Sequence, residues 1–186
     1  MPGNAFIKFK KAGSGLDATI AGESLQVTHP AIKGWCEISD WSLDIEAETN
    51  FLKGTGASVG VATPSVVSFT HSFDKSSPAI MRNIIMGTSF DTVVIHMLKA
   101  TGQTNGQPEV YFGAKFTNAF VTKVSSKGGE DGAVTQDIEF VFKSVALGYK
   151  RQDNNGKLID AILPFGWNIA TRALDSGVTV SLNDKD

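Results

Sequence analysis

From Val110 to Val124 apolar side chains recur at nearly every second position. Val110, Phe112, Ala114, Phe116, Phe120 and Val124 share one face, and Tyr111, Lys115, Thr117, Lys123 and Ser125 share the other. A period of two belongs to a strand with one side in a core, so this stretch predicts a long amphipathic strand. Trp35 to Glu48 repeats the pattern, with Trp35, Trp41, Leu43, Ile45 and Ala47 on the odd face and Asp40, Ser42, Asp44, Glu46 and Glu48 on an acidic even face. In Val134 to Lys150 the apolar set runs Ile138, Phe140, Phe142 and then shifts by one residue to Val145, Leu147, Tyr149. Two arrangements give that shift: a bulge near Lys143 and Ser144, or a twisted strand that changes neighbours.

Val93 to Leu98 has no polar face, since Val93, Ile95 and Met97 oppose Val94, His96 and Leu98. Both sides of that strand therefore need cover. The candidate cover is the one clear helix, Pro78 to Met86, with Ser77 to cap it, Pro78 at its first position, Gly87 to end it, and Ile80, Ile84 and Ile85 as its apolar stripe. Turn-forming clusters at Thr101–Pro108, Lys127–Gly132 and Asp153–Gly156 separate the long strands, as in antiparallel hairpins. Asn50 to Pro64 differs, being rich in Gly, Ala, Ser and Val with no clear period. A loop of that length in a compact domain is usually functional or mobile. A hairpin arm packed on a neighbouring subunit would bury its Phe51, Leu52, Val59 and Val61.

Composition narrows the class. A chain of 186 residues with 41% apolar and 19% charged positions is sized for one self-sufficient core, with no membrane span and no need of a staple. Neither a 20–50-residue repeat nor a linker divides it. Its 17 Lys and Arg against 19 Asp and Glu leave a net charge of −2, which offers no general attraction for nucleic acid. The single cysteine, Cys36, excludes an intrachain disulfide and a thiolate zinc site. The basic start at Lys8, Lys10 and Lys11 is followed by no apolar run of signal-peptide length, so export would use a route without a cleaved signal.

Candidate chemistry is sparse. His29, His71 and His96 lack metal-ligand spacing, and His96, on an apolar strand face, reads as a hydrogen-bonded core residue. Cys36 reads as a small thiol on a strand. Gly54–Gly60 lacks the Lys-Ser/Thr and the following helix that a phosphate loop needs. The acidic even face reads as a solvated surface. No catalytic, cofactor or metal site is expected, and the expected class is a single β-rich domain that assembles with copies of itself.

Several segments together resemble the haemolysin-coregulated protein (Hcp) family of bacterial type VI secretion. They are Ala5–Lys8 with Gly22-Glu-Ser24, Asp40-Trp-Ser-Leu43, Val67–Thr70 with Asp74–Pro78, Gly128-Gly-Glu-Asp131 between two long strands, and Tyr149, Gln152, Asp153 and Gly156 with Phe165-Gly-Trp-Asn168. The resemblance runs from about Ala5 to Ile169. It sets a tube-like domain at 1–170 apart from a polar C-terminal extension at 171–186, too short to be an enzyme domain. Leu43 stands where the family often has a second tryptophan.

The resemblance implies a mainly β fold, an antiparallel two-sheet β-barrel with one flanking α-helix and a long protruding loop. It implies a homo-hexamer whose rings stack into a tube, effector proteins as lumen cargo, and spike and sheath components as partners, with neither nucleic acid nor membrane insertion. The protein would act from the bacterial cytoplasm and be secreted to the medium or a target cell. Ser42 aligns with the family's lumen-facing serine, which makes Asp40, Ser42, Asp44 and Glu46 the expected cargo contacts. Phe51, Leu52, Val59 and Val61 are the expected ring-stacking residues. Other classes consistent with the residues are a monomeric barrel binding an apolar small molecule, a hydrolytic effector, and a phage tail-tube-like protein.

Overall fold

A computed structural model of the protein describes residues 4–11, 19–25, 34–52, 56–100, 108–159 and 162–182. His29, the Thr101–Gln107 part of a predicted turn, the Asn183–Asp186 end and the side chains of Phe51, Leu52 and Val59 lie outside the described residues.

The strands are β1 (Ala5–Lys11), β2 (Thr19–Ile20), β3 (Cys36–Ser42), β4 (Ile45–Leu52), β5 (Gly56–Pro64), β6 (Val67–Ser72), β7 (Phe90–Ala100), β8 (Pro108–Gly128), β9 (Val134–Val141), β10 (Ser144–Tyr149), β11 (Leu163–Asn168) and β12 (Ala173–Leu174), with helix α1 (Ser77–Met86) between β6 and β7. Six of them close on themselves in the order β8-β7-β1-β3-β6-β9, every pairing antiparallel and the last one returning to β8. Closure leaves those strands no free edge. A wing of β10, β11 and β12 continues the sheet from β8, and β4 and β5 form a separate two-stranded hairpin.

The barrel interior is solid. Phe9, Phe69, Phe90, Phe116 and Phe140 are fully buried there, with Ile7, Ile38, Val67, Val93, Ile95, Ile138 and Val145 around them. Phe116 makes edge contacts with Phe140 at 5.2 Å and Phe142 at 4.9 Å between ring centroids, the geometry that aromatic quadrupoles favour.

Strand β8 keeps its predicted length but not its strict alternation. Phe112, Ala114 and Phe116 face the interior, whereas Val110 joins a second cluster on the outside of the sheet, because the β7–β8 register slips between Met97 and Leu98. Asn118 has φ 47°, a left-handed conformation that asparagine tolerates better than most residues. Beyond it Ala119 and Val121 point inward and Phe120 points out, so Phe120 does not belong to the core face. A further register slip between Val121 and Lys123 returns Val124 to the core.

The partner strand bends at the same place. The register between β8 and β10 (Thr117 opposite Ser144) continues from that between β8 and β9 (Phe120 opposite Val141) without an inserted residue. The phase shift at Lys143 is therefore a corner where the chain exchanges β6 for β11 as its outer neighbour, and not a bulge at that point. Trp35 is also displaced from its predicted face: a register slip at Ser39 turns Trp41 inward, while Trp35 lies outside on Phe6 and His96.

Helix α1 does not cover the second side of β7. Ile80 is buried in the main core, with Ala79 and Ile84 packed on it, so the helix plugs the barrel. Its cap residue is Ser76 and not Ser77. Ser76 donates its Oγ to Asp74 Oδ1, and the Ser77 hydroxyl accepts the Asp74 amide at 3.1 Å. Gly87, at φ 61°, ends the helix, its amide reaching Ile84 O and the Thr88 amide reaching Asn83 O. The second side of β7 is instead closed by Phe6, Trp35 and Leu182 against Val94 and Leu98. Truncating Phe116 to Ala, at the meeting point of three aromatic rings, should lower the unfolding free energy by about 3–5 kcal/mol in urea titrations.

Candidate functional site

Where β3 passes the slip at Ser39, the Ser39 hydroxyl donates to Thr70 O at 3.2 Å. Trp41 then enters the barrel, stacking on Phe112 at 5.5 Å with its Nε1 directed at Met97 Sδ, 3.4 Å away. Anchoring Trp41 fixes the phase of its neighbours, because side chains alternate across a strand. Asp40 and Ser42 therefore face outward.

They are not isolated there. Ser42 pairs with Ser68, Ser68 with Glu139 and Glu139 with Lys123, so one row crosses β3, β6, β9 and β8. A second row runs Asp40, Thr70, Asp137, Ser125 across the same strands. The rows line a shallow open depression of about 460 Å3. The Ser42 and Ser68 hydroxyls lie 2.8 Å apart, Lys123 Nζ is 2.6 Å from Glu139 Oε1, and Lys127 Nζ is 2.5 Å from Asp137 Oδ2. Thr70 Oγ1 donates to Asp137 Oδ1 at 2.8 Å. The hydrogen bond from Lys127, reinforced by that from Thr70, holds Asp137 below the ordinary carboxylate range. The Glu139 hydrogen bond and charge hold Lys123 above the ordinary amine value.

Of the four expected cargo contacts, Asp40 and Ser42 meet on this wall. Asp44 sits at the base of the β4–β5 hairpin, where its amide donates to Ser65 Oγ at 3.0 Å and its carbonyl accepts the Ser65 amide at 2.8 Å. Glu46 stands on the hairpin itself, opposite Thr63. The face is thus mixed in charge, since Lys123 and Lys127 neutralise two of its carboxylates. Ser68, Thr70, Lys123, Asp137 and Glu139 were missed by reading β3 alone. Their signal was the polar alternation of strands 67–72 and 134–141 and of the second half of β8, of which only β6 pairs with β3 itself.

The expected stacking segment is a hairpin and not an irregular loop, and it starts earlier, at Ile45. Pairing runs from Ile45 opposite Pro64 to Leu52 opposite Gly56, with a slip between Ala47 and Thr49. Val61 is 55% exposed and Ile45 46% exposed. The backbones of Phe51, Leu52 and Val59 take part in the ladder.

Buried polar groups behind the wall are structural. Cys36 Sγ donates to Ser76 Oγ at 3.1 Å, and burial pushes its thiol up to about 12, well away from a nucleophilic thiolate. His71 Nε2 donates to Gln136 Oε1 at 3.1 Å, and Gln136 Nε2 donates to Ser126 Oγ at 2.8 Å. Among the described residues no group of three or more His, Cys, Asp or Glu is arranged to hold a metal.

A closed antiparallel barrel with a packed interior, a plugging helix, a free-standing hairpin and a polar outer wall defines a scaffold class whose exposed features are surfaces. The comparisons place it within that class. Residues 6–149 match the family described as "Type VI secretion system effector, Hcp", and the chain belongs to the Hcp family. Protein hcp1 of Pseudomonas aeruginosa is 29% identical over 105 residues, which cover 55% of this chain and 62% of that protein. A solved type six secretion system protein superposes with a TM-score of 0.78 at 26% identity, covering 92% of this chain and 98% of the other. Hcp1 from Salmonella typhimurium superposes at 0.66 and 24% identity, covering 92% and 99%.

Burial lowers the His71 pKa from 6.5, against the opposing pull of Asp74 and Gln136. Above that value both folded and unfolded chains hold a neutral imidazole. Below it the unfolded chain takes the proton first, so stability falls with falling pH. Urea midpoints should drop as the pH is lowered from neutral through the ordinary histidine range. The slope should be shallower in His71→Asn.

Proposed function

We propose that the protein is a tube subunit of the type VI secretion system. Six copies close head-to-tail into a ring, rings stack, and small effector proteins travel in contact with the lumen wall before secretion without a cleaved signal. The observation that carries this reading is the pair of polar rows centred on Ser42 and Ser68. They form an ordered, solvated wall across four strands of a barrel whose own interior is filled. A passage for cargo then has to lie between barrels, and a closed ring of copies supplies one.

Family membership and the fold likeness support the same reading. So do exposed apolar side chains outside the polar wall: Ile85 and Met86 on α1, Leu163 on β11 and Leu174 on β12. Exposed apolar side chains of this kind fit burial against neighbouring copies. The β4–β5 hairpin pairs with no strand of the barrel and carries Val61 into solvent, which suits an arm reaching an adjacent ring. Spike and sheath components would be the further partners. The alternative of a monomeric small-ligand barrel loses ground because five phenylalanines occupy the space that a ligand would need.

Replacing Ser42 by Arg places a bulky cation on the wall beside Ser68. Effector co-purification should be lost while native mass spectrometry still gives six copies. Unchanged cargo retention would remove Ser42 from the contact set, and a single-copy mass for the parent protein would overturn the ring. Deleting residues 54–60 should leave hexamers in sedimentation and abolish longer stacks in electron micrographs. Undiminished stacking would refute the arm.

A further inference from the structure

The β3–β6 pair has two unlike ends. At one, β3 stops at Ser42 and β6 starts at Val67, and the β4–β5 hairpin leaves from there. At the other, roughly 17 Å back along the strands at about 3.3 Å per residue, an open groove of about 290 Å3 lies beside Glu37 and Ser72. Leu25 and Phe73, 81% and 45% exposed, give it two apolar side chains, and Glu23, Glu37 and Asp74 give it three carboxylates.

The Leu25 side is a segment laid along the approach to β3. The Gly22 amide donates to Gly34 O at 2.6 Å, the Ser24 amide to Trp35 O at 3.0 Å and the Gly34 amide to Ser24 O at 3.0 Å. Glycine permits the close approach at position 22, where an added Cβ would strike the Trp35 carbonyl. Glu23 Oε1 then accepts the Lys75 amide at 3.2 Å, which draws the Leu25 segment to the turn that carries Phe73 and Asp74. Asp74 Oδ1 accepts the Ser76 amide at 2.9 Å, fixing the other side. The three carboxylates outnumber the one cation of the adjoining turn, Lys75, which is not among the described residues that line the groove.

The hairpin offers the complement. Its ladder ends at Leu52 opposite Gly56, and residues 53–55 join the two strands. Lys53 is the only charged residue in the sequence from Thr49 to Pro64, and Phe51 and Leu52 precede it. The eight residues of β4 give roughly 25 Å of reach, enough to cross from one copy into the next. Because the groove and the hairpin base lie at opposite ends of one strand pair, a contact between them is head-to-tail and repeats from copy to copy. We propose that the groove is the socket for the hairpin tip of a second copy of this chain, taking Lys53 among Glu23, Glu37 and Asp74 and the Phe51–Leu52 end against Leu25 and Phe73. The proposal rests on the reading of the hairpin as a stacking arm and supplies its receptor. Two tips or two sockets repel, so the same charges set the polarity of the stack.

The test compares full chains. K53E alone and E23K/E37K alone should form stacks at least about tenfold shorter than the parent's in electron micrographs, because the repulsion recurs at every copy of a ring. Both should keep the parent's native mass and circular dichroism. Mixed in equal amounts, the two variants should regain parent-length stacks, since each tip then meets a socket of opposite charge. Undiminished stacking by K53E overturns the proposal, and so does a mixture that stacks no better than its components. K53E changes no residue of the barrel, so its result stands even where E23K/E37K fails to fold. Loss of cargo from E23K/E37K with stacking intact overturns the socket in favour of a cargo groove. If deletion of 54–60 abolishes stacks while K53E keeps them, the arm stands and this socket falls. If that deletion spares the stacks, the arm reading itself falls, and a parent that never stacks overturns both.

Discussion

One strand has to serve two neighbours on the same edge, and the fold turns on how it does so. Along its first half β8 is flanked by β7 and β10, and along its second half it pairs with β9. A flat strand would extend all these pairings into one open sheet. The left-handed Asn118 bends β8 where its partner bends at Lys143, and both chains change which residues face inward within a few positions. That coupled corner brings β9 round to β6 and closes the barrel. The phenylalanine interior, the plug by α1 and the outward aim of Asp40 and Ser42 all require that closure.

The wall and the outer cluster of Phe6, Trp35, Val94, Leu98, Val110 and Leu182 use opposite chemistry. On the wall, hydroxyls and paired charges satisfy one another while remaining wet, so its groups contribute shape and polarity more than fold stability. In that outer cluster the contacts are apolar and buried. The same strands serve both because a register slip re-aims a side chain without moving the backbone far: the slip at Ser39 separates Trp35 from Trp41, and the slip beside Met97 separates Val110 from Phe112.

Much of this was legible in the residues. Alternation located the strands, Pro78 and Gly87 bracketed the helix, and the turn at Gly128–Asp131 joins β8 to β9 as its glycines suggested. The family likeness rested on segments distributed over most of the chain, which local noise does not imitate. What escaped was long-range. Register slips and the left-handed Asn118 erase strict alternation, so Phe120, Val110 and Trp35 were assigned to the wrong face. Part of the cover for Val94 and Leu98 comes from Leu182, more than eighty positions away, and no periodic pattern announces such a contact. The wall was half seen, since two of its four strands are distant in sequence from β3.

The filled interior has a consequence for scale. A container that holds its contents inside each unit can be enlarged by hollowing that unit, but here the space within one molecule is occupied by aromatic rings. The calibre of any conduit made from such molecules is then an arithmetic property of how many stand in the circle. Changes to the rings of Phe9, Phe69 or Phe140 would alter how firmly each molecule holds together, leaving the width of any such conduit untouched.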